Sequence, residues 1–308
     1  MSNNLNSRFL LFFALTLICA SSINMARGTV LFSPEWTGIG GGSSKDVFVV
    51  GDKGVMAHYN GNKWLPVDSG TPTWLSSIIE ITPTSIFAAG YNGLILNFNG
   101  YKWEKMETRI TNDLNGIWGS SSNNVYAVGD RGTVLHYDGS EWAVVPSDTE
   151  NLLFSVWGSS SDDVYAVGGR STLIHFDGQS WKRIPLIQQT HFVGIWGSSS
   201  EDIFLVGDQG MILHFDSQNW VLMESGVTEL LRSVWGSSSH NVFVTGDNGL
   251  ILRYNGSRWE KMESHTKEPL RGVWGNGPEN VFAIADGGQI LNYDGKKWKL
   301  LAQFSINK

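Results

Sequence analysis

The chain has 308 residues, 41% of them hydrophobic and 17% charged, with 36 glycines and only 8 prolines. This composition is that of a compact, turn-rich globular protein and excludes a disordered chain. The formal net charge is −7. Because nucleic acids and anionic membrane surfaces require clustered Lys and Arg, and the sequence shows no such cluster, neither is an expected partner.

The first segment has the pattern of a secretory signal peptide. Arg8 precedes an apolar run over residues 9–20, whose length of about 12 residues is too short to span a bilayer. Small residues at 20–22 offer cleavage points, and Ala26 offers a later one. We therefore expect residues 1–22, with an approximate boundary, to be removed. The mature chain would then be secreted or periplasmic, without a membrane span, and with a net charge of −8 (21 basic against 29 acidic residues).

Cys19, the only cysteine, ends this apolar run. Cleavage after Ala20 would leave no thiol and therefore no disulfide. A lipid anchor on Cys19 is the alternative, but the preceding residues, 16–18, make a poor lipobox because the residue before the cysteine is normally small. We do not expect this anchor.

The rest of the chain repeats with a period of 39 residues. One tryptophan recurs at this spacing in all seven units: Trp64, Trp103, Trp142, Trp181, Trp220, Trp259 and Trp298. A second tryptophan stands 24 residues before the first in five units: Trp118, Trp157, Trp196, Trp235 and Trp274. Gly40 and Ile79 take its place in the first two units. Such periodicity is typical of solenoids and propellers.

Each unit contains four short apolar segments separated by Gly, Ser, Asp or Asn. In the third unit they cover residues 114–122, 125–130 and 133–139 and a segment beginning at Trp142. This pattern predicts four strands per unit and excludes helical repeats. It leaves a ring of propeller blades or a β-solenoid.

The second strand favours the ring. It is apolar throughout and opens on a β-branched residue followed by an aromatic one, in pairs such as Val125-Tyr126 and Val242-Phe243. Such a strand is covered on both faces, as in a blade between two neighbours. We therefore predict an all-β fold over residues 28–308, a single seven-bladed β-propeller with four antiparallel strands per blade. The sequence does not determine which strand closes the ring, because residues 28–32 resemble a further strand although the last unit already supplies its own fourth strand.

Three resemblances accompany this prediction. The Asp138-Gly139 turn followed by Trp142 resembles the Asp-box (BNR) hairpin of sialidase-like propellers, although the turn is one residue shorter and lacks the Ser or Thr that precedes the Asp. The Val-Gly-Asp-x-Gly-x-Ile-Leu run, as at residues 206–213, resembles the repeats of Ycf48-like assembly factors. The whole unit is most similar to the Trp-Gly-Ser-Ser repeat propellers of bacterial secreted proteins and lipoproteins. Sialidase-like relatives imply glycan chemistry, and Ycf48-like ones imply a chaperone-like role in assembling a membrane complex.

An enzyme is not expected, because propellers host many activities and the chemistry must come from a site. Sialidases hold their substrate with three arginines and use a tyrosine nucleophile, and their first blade carries a Phe-Arg-Ile-Pro-like motif that is missing here. Six arginines occupy scattered repeat positions: Arg131, Arg170, Arg183, Arg232, Arg253 and Arg271. A glycoside hydrolase is the least unlikely activity.

Neither a metal nor another cofactor is expected. Four histidines recur on the third strand, at His58, His136, His175 and His214. Because they belong to different blades they cannot converge on one metal ion, and we expect each to form a hydrogen bond from blade to blade instead.

The turn between the second and third strands carries a recurrent aspartate, at Asp52, Asp130, Asp208, Asp247 and Asp286. These carboxylates could form a ring at one mouth of the channel that attracts Ca²⁺ or a basic partner. The interpretation we favour is turn chemistry, because Asp-x-Gly suits a tight turn.

Variation between the repeats indicates where a specific site could lie, because positions shared by all blades hold the frame. The loops that link the blades vary most, and loops on a rigid frame collect binding residues. Two blades also depart from the Asp-x-Gly turn, with Tyr91 in the second and Gly169-Arg170-Ser171 in the fourth. The candidate ligand-binding residues are therefore Asp52, Tyr91, Asp130, Arg131, Arg170, Asp208, Asp247 and Asp286.

The sequence thus predicts an exported, non-enzymatic scaffold whose rim loops bind a protein or a cell-surface ligand at the cell envelope. The alternative is a carbohydrate-binding, lectin-like propeller or a sialidase-like glycan-active one. A lectin with one site per blade predicts exposed aromatic residues at equivalent positions. A single-partner scaffold predicts one asymmetric patch around Tyr91 and Arg170.

Overall fold

A computed structural model describes residues 15–17 and 31–307. The chain forms seven antiparallel sheets, each with four consecutive strands, and two short strands from the start of the chain add to the seventh sheet. The first strands of neighbouring blades pack on each other around a common axis, and the seventh blade packs on the first. The predicted seven-bladed β-propeller is confirmed.

The strands recur in the same order in every blade. Blade 1 contains Trp36–Ser43, Asp46–Gly51, Met56–Tyr59 and Trp64–Val67. Blade 2 contains Leu75–Thr82, Ser85–Gly90, Ile95–Phe98 and Trp103–Met106. Blade 3 contains Leu114–Ser121, Asn124–Gly129, Val134–Tyr137 and Trp142–Val144. Blade 4 contains Leu153–Ser160, Asp163–Gly168, Thr172–Phe176 and Trp181–Arg183.

The last three blades follow the same scheme. Blade 5 contains Phe192–Ser199, Asp202–Gly207, Ile212–Phe215 and Trp220–Met223. Blade 6 contains Leu231–Ser238, Asn241–Gly246, Ile251–Tyr254 and Trp259–Met262. Blade 7 contains Leu270–Gly275, Val281–Ala285, Gln289–Tyr293 and Trp298–Asn307. Within the described ranges, helical backbone is limited to four 3₁₀ turns, at Asp52–Gly54, Asp130–Gly132, Asp208–Gly210 and Asp247–Gly249. None of the described helices is long and apolar enough to cross a membrane.

The predicted hairpin between the third and fourth strands forms as its residues require. In blade 3 the Asp138 carboxylate accepts the backbone N–H groups of Ser140 (2.8 Å) and Glu141 (3.1 Å). Gly139 takes a φ of 97°, a left-handed conformation that glycine adopts at little cost. The following Trp142 packs on Tyr137 of the same hairpin, with ring centroids 5.3 Å apart, and against Phe87 of the preceding blade.

The second tryptophan series joins each blade to the next. The indole of Trp157 reaches the first strand of blade 5, where a Cβ added to Gly197 would lie 2.6 Å from the indole tip. The same contact joins Trp118 to Gly158, Trp196 to Gly236, Trp235 to Gly275 and Trp274 to Gly41. Glycine is therefore required at the receiving position, and we call each such contact a Trp–Gly contact.

Among the described strands, none is exchanged between the first and last blades where the ring closes. Phe304, fully buried, lies between blades 7 and 1, with its ring 5.2 Å from Trp36 and 6.2 Å from Trp64. The strand expected at residues 28–32 is present at Leu31–Phe32 and pairs with the end of the last strand. Of the expected signal peptide only Leu15–Leu17 is described, as a short strand paired with residues 304–306, and the remainder lies outside the described residues.

Candidate functional site

The first strands of all seven blades surround a central channel. Its cavity has a volume of about 360 Å³ and reaches the face that carries the blade-linking loops and the turns between second and third strands. Each first strand starts at this face with a fully buried apolar residue, namely Trp36, Leu75, Leu114, Leu153, Phe192, Leu231 or Leu270. Because it is buried and apolar in every blade, this position has a structural role in the propeller.

The next residue of each first strand faces the channel and differs between the blades. In order from blade 1 to blade 7 the position holds Thr37, Ser76, Asn115, Phe154, Val193, Arg232 and Arg271. Blades 4 and 5 thus present an apolar arc, and the other five present polar or charged groups. We call this set the channel ring.

Two members of the channel ring have a structural task that accounts for their polarity. The Thr37 hydroxyl donates to the Leu75 carbonyl, and the Asn115 amide donates to the Leu153 carbonyl at 2.9 Å. Both bonds tie one blade to the next. The Ser76 hydroxyl differs, because it is buried and has no partner among the described protein groups.

The two arginines of the channel ring are each held by an aspartate of their own blade. Arg232 Nε lies 2.5 Å from Asp247 Oδ1. Arg271 forms a two-pronged pair with Asp286, at 2.5 and 2.9 Å. The hydrogen bonds that Arg271 donates to Asp286 raise the pKa of Arg271. This side of the mouth therefore carries two fixed ion pairs rather than free positive charge.

Tyr91 stands at the same mouth, above blade 2. Its ring stacks on Trp74, with centroids 5.5 Å apart and planes 9° apart, and 38% of the residue is exposed. Burial, followed by Asp113 and Asp130, raises the pKa of the Tyr91 hydroxyl. The phenol therefore stays protonated at neutral pH and is available as a hydrogen-bond donor.

The five recurrent aspartates each fasten the start of the first strand in their own blade. Asp52, which is buried, accepts the backbone N–H of Glu35 at 2.9 Å. Asp130 accepts the Asn115 amide at 3.3 Å, and Asp208 bonds to His191 at 2.8 Å. Since Asp247 and Asp286 hold the two arginines, each carboxylate has a partner within its own blade. This arrangement supports turn chemistry rather than a calcium ring. Within residues 15–17 and 31–307, no three His, Cys, Asp or Glu groups are placed to hold a metal ion.

Arg131 and Arg170 occupy the following position of the turn, with exposed side chains and φ angles of 54° and 55°. Arg170 lines a second cavity, of about 260 Å³, on blade 4. The structure therefore does not bring Tyr91 and Arg170 into one cavity. The two residues expected to form a single patch therefore lie apart, Tyr91 at the channel mouth and Arg170 at the cavity of blade 4.

The histidine bonds run within blades, so the prediction of blade-to-blade bonds is wrong. His58, His175 and His214 bond to the aspartate that opens the second strand of the same blade, at distances between 2.6 and 2.7 Å. Each imidazole also stacks on the aromatic residue of that strand, as His58 does on Phe48. In blade 3 the aspartate is replaced by Asn124. The Nε2 atom of His136 is buried there without a partner, and burial lowers the pKa of His136.

The repeated aromatic residues do not form the repeated exposed surface that a lectin with one site per blade predicts. Every tryptophan of both series is buried or half-buried. The exposed aromatic residues of the described chain, Tyr91 and Tyr101, both belong to blade 2. The six arginines do not gather either, because Arg232 and Arg271 line the channel, Arg170 and Arg183 line the blade 4 cavity, and Arg253 packs on Phe243.

The channel ring was not recognised as a site from the sequence, although the signal is present. Its position follows a residue that is apolar and buried in all seven repeats, and it changes chemical character from blade to blade. That contrast identifies a variable position on a fixed frame. What the period alone could not show is which face of the first strand points to the axis.

The fold defines a seven-bladed β-propeller with a lined central channel, and comparisons with known proteins agree at that level. Ycf48 bound to a D1 peptide is similar with a TM-score of 0.67 and 12% identity, over 91% of this chain and 94% of that chain. Ycf48 from Cyanidioschyzon merolae gives 0.67 and 12%, over 89% and 95%. The computationally designed Ika8 protein gives 0.66 and 12%, over 88% and 87%.

At this identity the likeness shows the fold alone. No protein-family model and no curated protein matches the chain. The resemblance to Ycf48-like propellers is therefore supported as a likeness of fold. The resemblance to bacterial secreted Trp-Gly-Ser-Ser propellers stays a prediction.

Proposed function

We propose that this protein is an exported, non-enzymatic scaffold that binds a segment of a partner protein at the mouth of its central channel. The observation that carries the proposal is the channel ring. Seven blades built on one template keep the residue before this position apolar and buried, yet present six different types of side chain to the cavity. A surface of this kind is asymmetric on a symmetric frame and suits one ligand, rather than one ligand per blade.

The chemistry around the mouth suits a polypeptide. Phe154 and Val193 provide an apolar arc, and the Trp74–Tyr91 stack provides an amphipathic surface with a hydroxyl donor. Aromatic anchors surrounded by polar groups are the usual composition of protein-binding surfaces. The similar Ycf48 structure is described as bound to a D1 peptide, which supports this use of the fold.

Export is the second half of the proposal and depends on the expected signal peptide at residues 1–22. Removal of this segment would take away the strand Leu15–Leu17 but none of the four strands of blade 7. The ring would stay complete. A lysate fractionation with mass spectrometry of the mature N-terminus would test this half by itself, and a chain that retains residues 1–22 would contradict it.

The binding half is tested by affinity capture from an extract of the protein's own cells, followed by titration of the captured partner. The test variant combines Tyr91→Ala with Phe154→Ala, which alters two sides of the mouth. Tyr101→Ala is the matched control, because Tyr101 is 93% exposed on the same blade but does not line the channel. We expect the double variant to weaken binding about tenfold or more, as loss of two anchor residues does, and the control to bind like the wild type.

Two outcomes would overturn this assignment. One is equal binding by all three proteins, which would place the site away from the channel. The other is saturable binding on a glycan array with several ligands per chain, which would favour the lectin-like alternative.

A further inference from the structure

Blade 4 exchanges two residues that occur together in five other blades. In those blades a glycine of the turn between second and third strands faces a hydroxyl residue of the loop that leaves the blade. The pairs are Gly54 with Ser69, Gly93 with Thr108, Gly132 with Ser147, Gly210 with Ser225 and Gly249 with Ser264. In blade 4 the turn residue is Ser171 and the loop residue is Leu186. The hydroxyl has thus moved from the loop to the turn.

The exchange requires a different course for the loop. The five glycines have positive φ, and a Cβ added to any of them would overlap a carbonyl of the loop. In blade 4 the corresponding carbonyl, of Gln188, accepts a hydrogen bond from the Ser171 hydroxyl. A carbonyl that accepts from this hydroxyl cannot occupy the place that overlaps Cβ. The loop over residues 184–191 therefore lies further from the turn than its counterparts.

The cavity of about 260 Å³ lies between this turn and this loop. It is lined by Arg170, Ser171, Arg183, Pro185, Leu186 and Gln189. The wall combines two guanidinium groups with two apolar side chains and contains no carboxylate. It differs from the channel in every residue.

The two arginines have no partner among the described residues. Other blades with a cation at the turn place an aspartate directly before it, and Lys53 lies 3.5 Å from Asp52 in blade 1. In blade 4 the preceding residue is Gly169, so this carboxylate is missing. The outer strand adds Arg183, at a position that is lysine in blades 2 and 6 and uncharged in the other four blades. Two uncompensated positive charges therefore meet at one cavity of a protein whose net charge is −7.

We propose that the blade 4 cavity is a binding site for a doubly charged oxyanion, a phosphate monoester. Guanidinium groups bind such oxyanions through paired hydrogen bonds, and two of them balance a dianion. Pro185 and Leu186 supply a surface for the organic part of the ester. The site does not depend on the channel, and its failure would leave the proposed protein-binding function untouched.

The test is isothermal titration of the full chain, in chloride buffer, with phenyl phosphate, phenyl sulfate and inorganic phosphate as probes. We expect saturable binding with one site per chain that weakens as salt is added, because the attraction is between charges. Tighter binding of phenyl phosphate than of inorganic phosphate identifies an ester as the ligand, and phenyl sulfate, which carries a single charge, is expected to bind more weakly than phenyl phosphate. Equal binding of inorganic phosphate identifies the free anion as the occupant of the same site. Absence of saturable binding by all three probes at about 10 mM overturns the proposal.

Substitutions of single arginines test whether the anion binds in the blade 4 cavity. Arg170→Gln and Arg183→Gln are each expected to weaken binding about tenfold or more, the usual effect of losing a charge-assisted hydrogen bond. Arg131→Gln is the matched control, since Arg131 has the same turn position and the same left-handed conformation in blade 3 but follows Asp130. Its affinity is expected to equal that of the wild type. An equal loss in all three variants would mean that general surface charge binds the anion, and it would overturn the assignment.

Discussion

The contact between blades 1 and 2 departs most from the repeat, because of one residue in each of the two blades. Blade 1 has Gly40 where five blades have tryptophan, and blade 2 has Glu80 where the Trp–Gly contact needs glycine. The Glu80 carboxylate packs over Gly42 of blade 1 and accepts a hydrogen bond from its backbone. Its second oxygen is buried without a partner. The Glu80 side chain thus packs at the junction of blades 1 and 2, where five other junctions have an indole.

The protonation of Glu80 gives a prediction about stability and pH. Burial and then the charge of Asp46 raise the pKa of Glu80 from its ordinary value of 4.5 to about 7. The folded chain therefore holds a proton that the unfolded chain has lost between these two values, and the free energy of unfolding falls as the pH rises from 4.5 to about 7. In the Glu80→Gln variant this contribution is absent. We expect the variant to gain stability over the wild type progressively across that range, in urea denaturation at several pH values.

Glu201→Gln serves as the control for that series, because Glu201 is an exposed residue of blade 5. Its stability difference from the wild type should not change with pH. A difference between Glu80→Gln and the wild type that is constant from pH 5 to 8, values which bracket the expected range, would show that Glu80 stays ionised throughout.

The histidines show what a repeat can predict at the level of single residues. The period identified His58, His175 and His214 as equivalent, and the equivalence extends to their partners Asp46, Asp163 and Asp202. The period could not reveal whether a side chain points along its own sheet or across to the next blade. That choice depends on the twist of the blade and on stacking against the second strand, which only the structure shows.

At the scale of the element, the first strand of five blades is shaped by the indole of the preceding blade. Gly197 is an instance, because a Cβ there would lie 2.6 Å from Trp157 and 2.7 Å from the Asp202 carbonyl. Neither neighbour is free to move, since one is a packed indole and the other is backbone.

We therefore expect Gly197→Ala to lower the free energy of unfolding by about 1–3 kcal/mol, as overpacking does. Gly169→Ala is the matched control on the turn of blade 4, where an added Cβ meets nothing nearer than 3.7 Å. Its stability should be unchanged or slightly higher, because alanine reduces the entropy of the unfolded chain. Chemical denaturation of both variants checks the pair. Equal stability of the two would contradict the Trp–Gly contact as a determinant of the strand.

The strands themselves were predictable because their signals are local. The apolar second strands and the Asp-Gly hairpins depend on neighbouring residues and formed where the sequence placed them. The loop of blade 4 was not predictable, because its course depends on the contact between Ser171 and Gln188, which are 17 residues apart.

At the scale of the whole molecule, the closure of the ring depends on the last strand. Phe304 is fully buried against Trp36, and within the described residues the four-stranded body of blade 7 consists of consecutive strands from the end of the chain. Of the segment 28–32, which resembled a closing strand, the described part is Leu31–Phe32, and it pairs at the very end of the last strand. The sequence of this segment could not indicate that side-chain packing joins the two blades.

We expect Phe304→Ala to cost about 3–5 kcal/mol, the usual loss for a buried phenylalanine. Leu300→Ala, on the same strand but 49% exposed, should cost about 1 kcal/mol or less. Thermal or chemical unfolding measures both, and hydrogen exchange would locate the loss of protection at blades 7 and 1. Similar costs for the two substitutions would show that Phe304 does not hold the closure.

The Trp–Gly contacts all point the same way around the ring, and this sense of direction has a consequence for how the chain can be reconnected. At the position of these contacts, five junctions carry an indole, the junction of blades 2 and 3 carries Ile81 on Gly119, and the junction of blades 1 and 2 carries the Glu80 carboxylate. A circular permutant opened between Asp68 and Thr73 would therefore place its new chain ends at the junction without an indole and keep every indole contact.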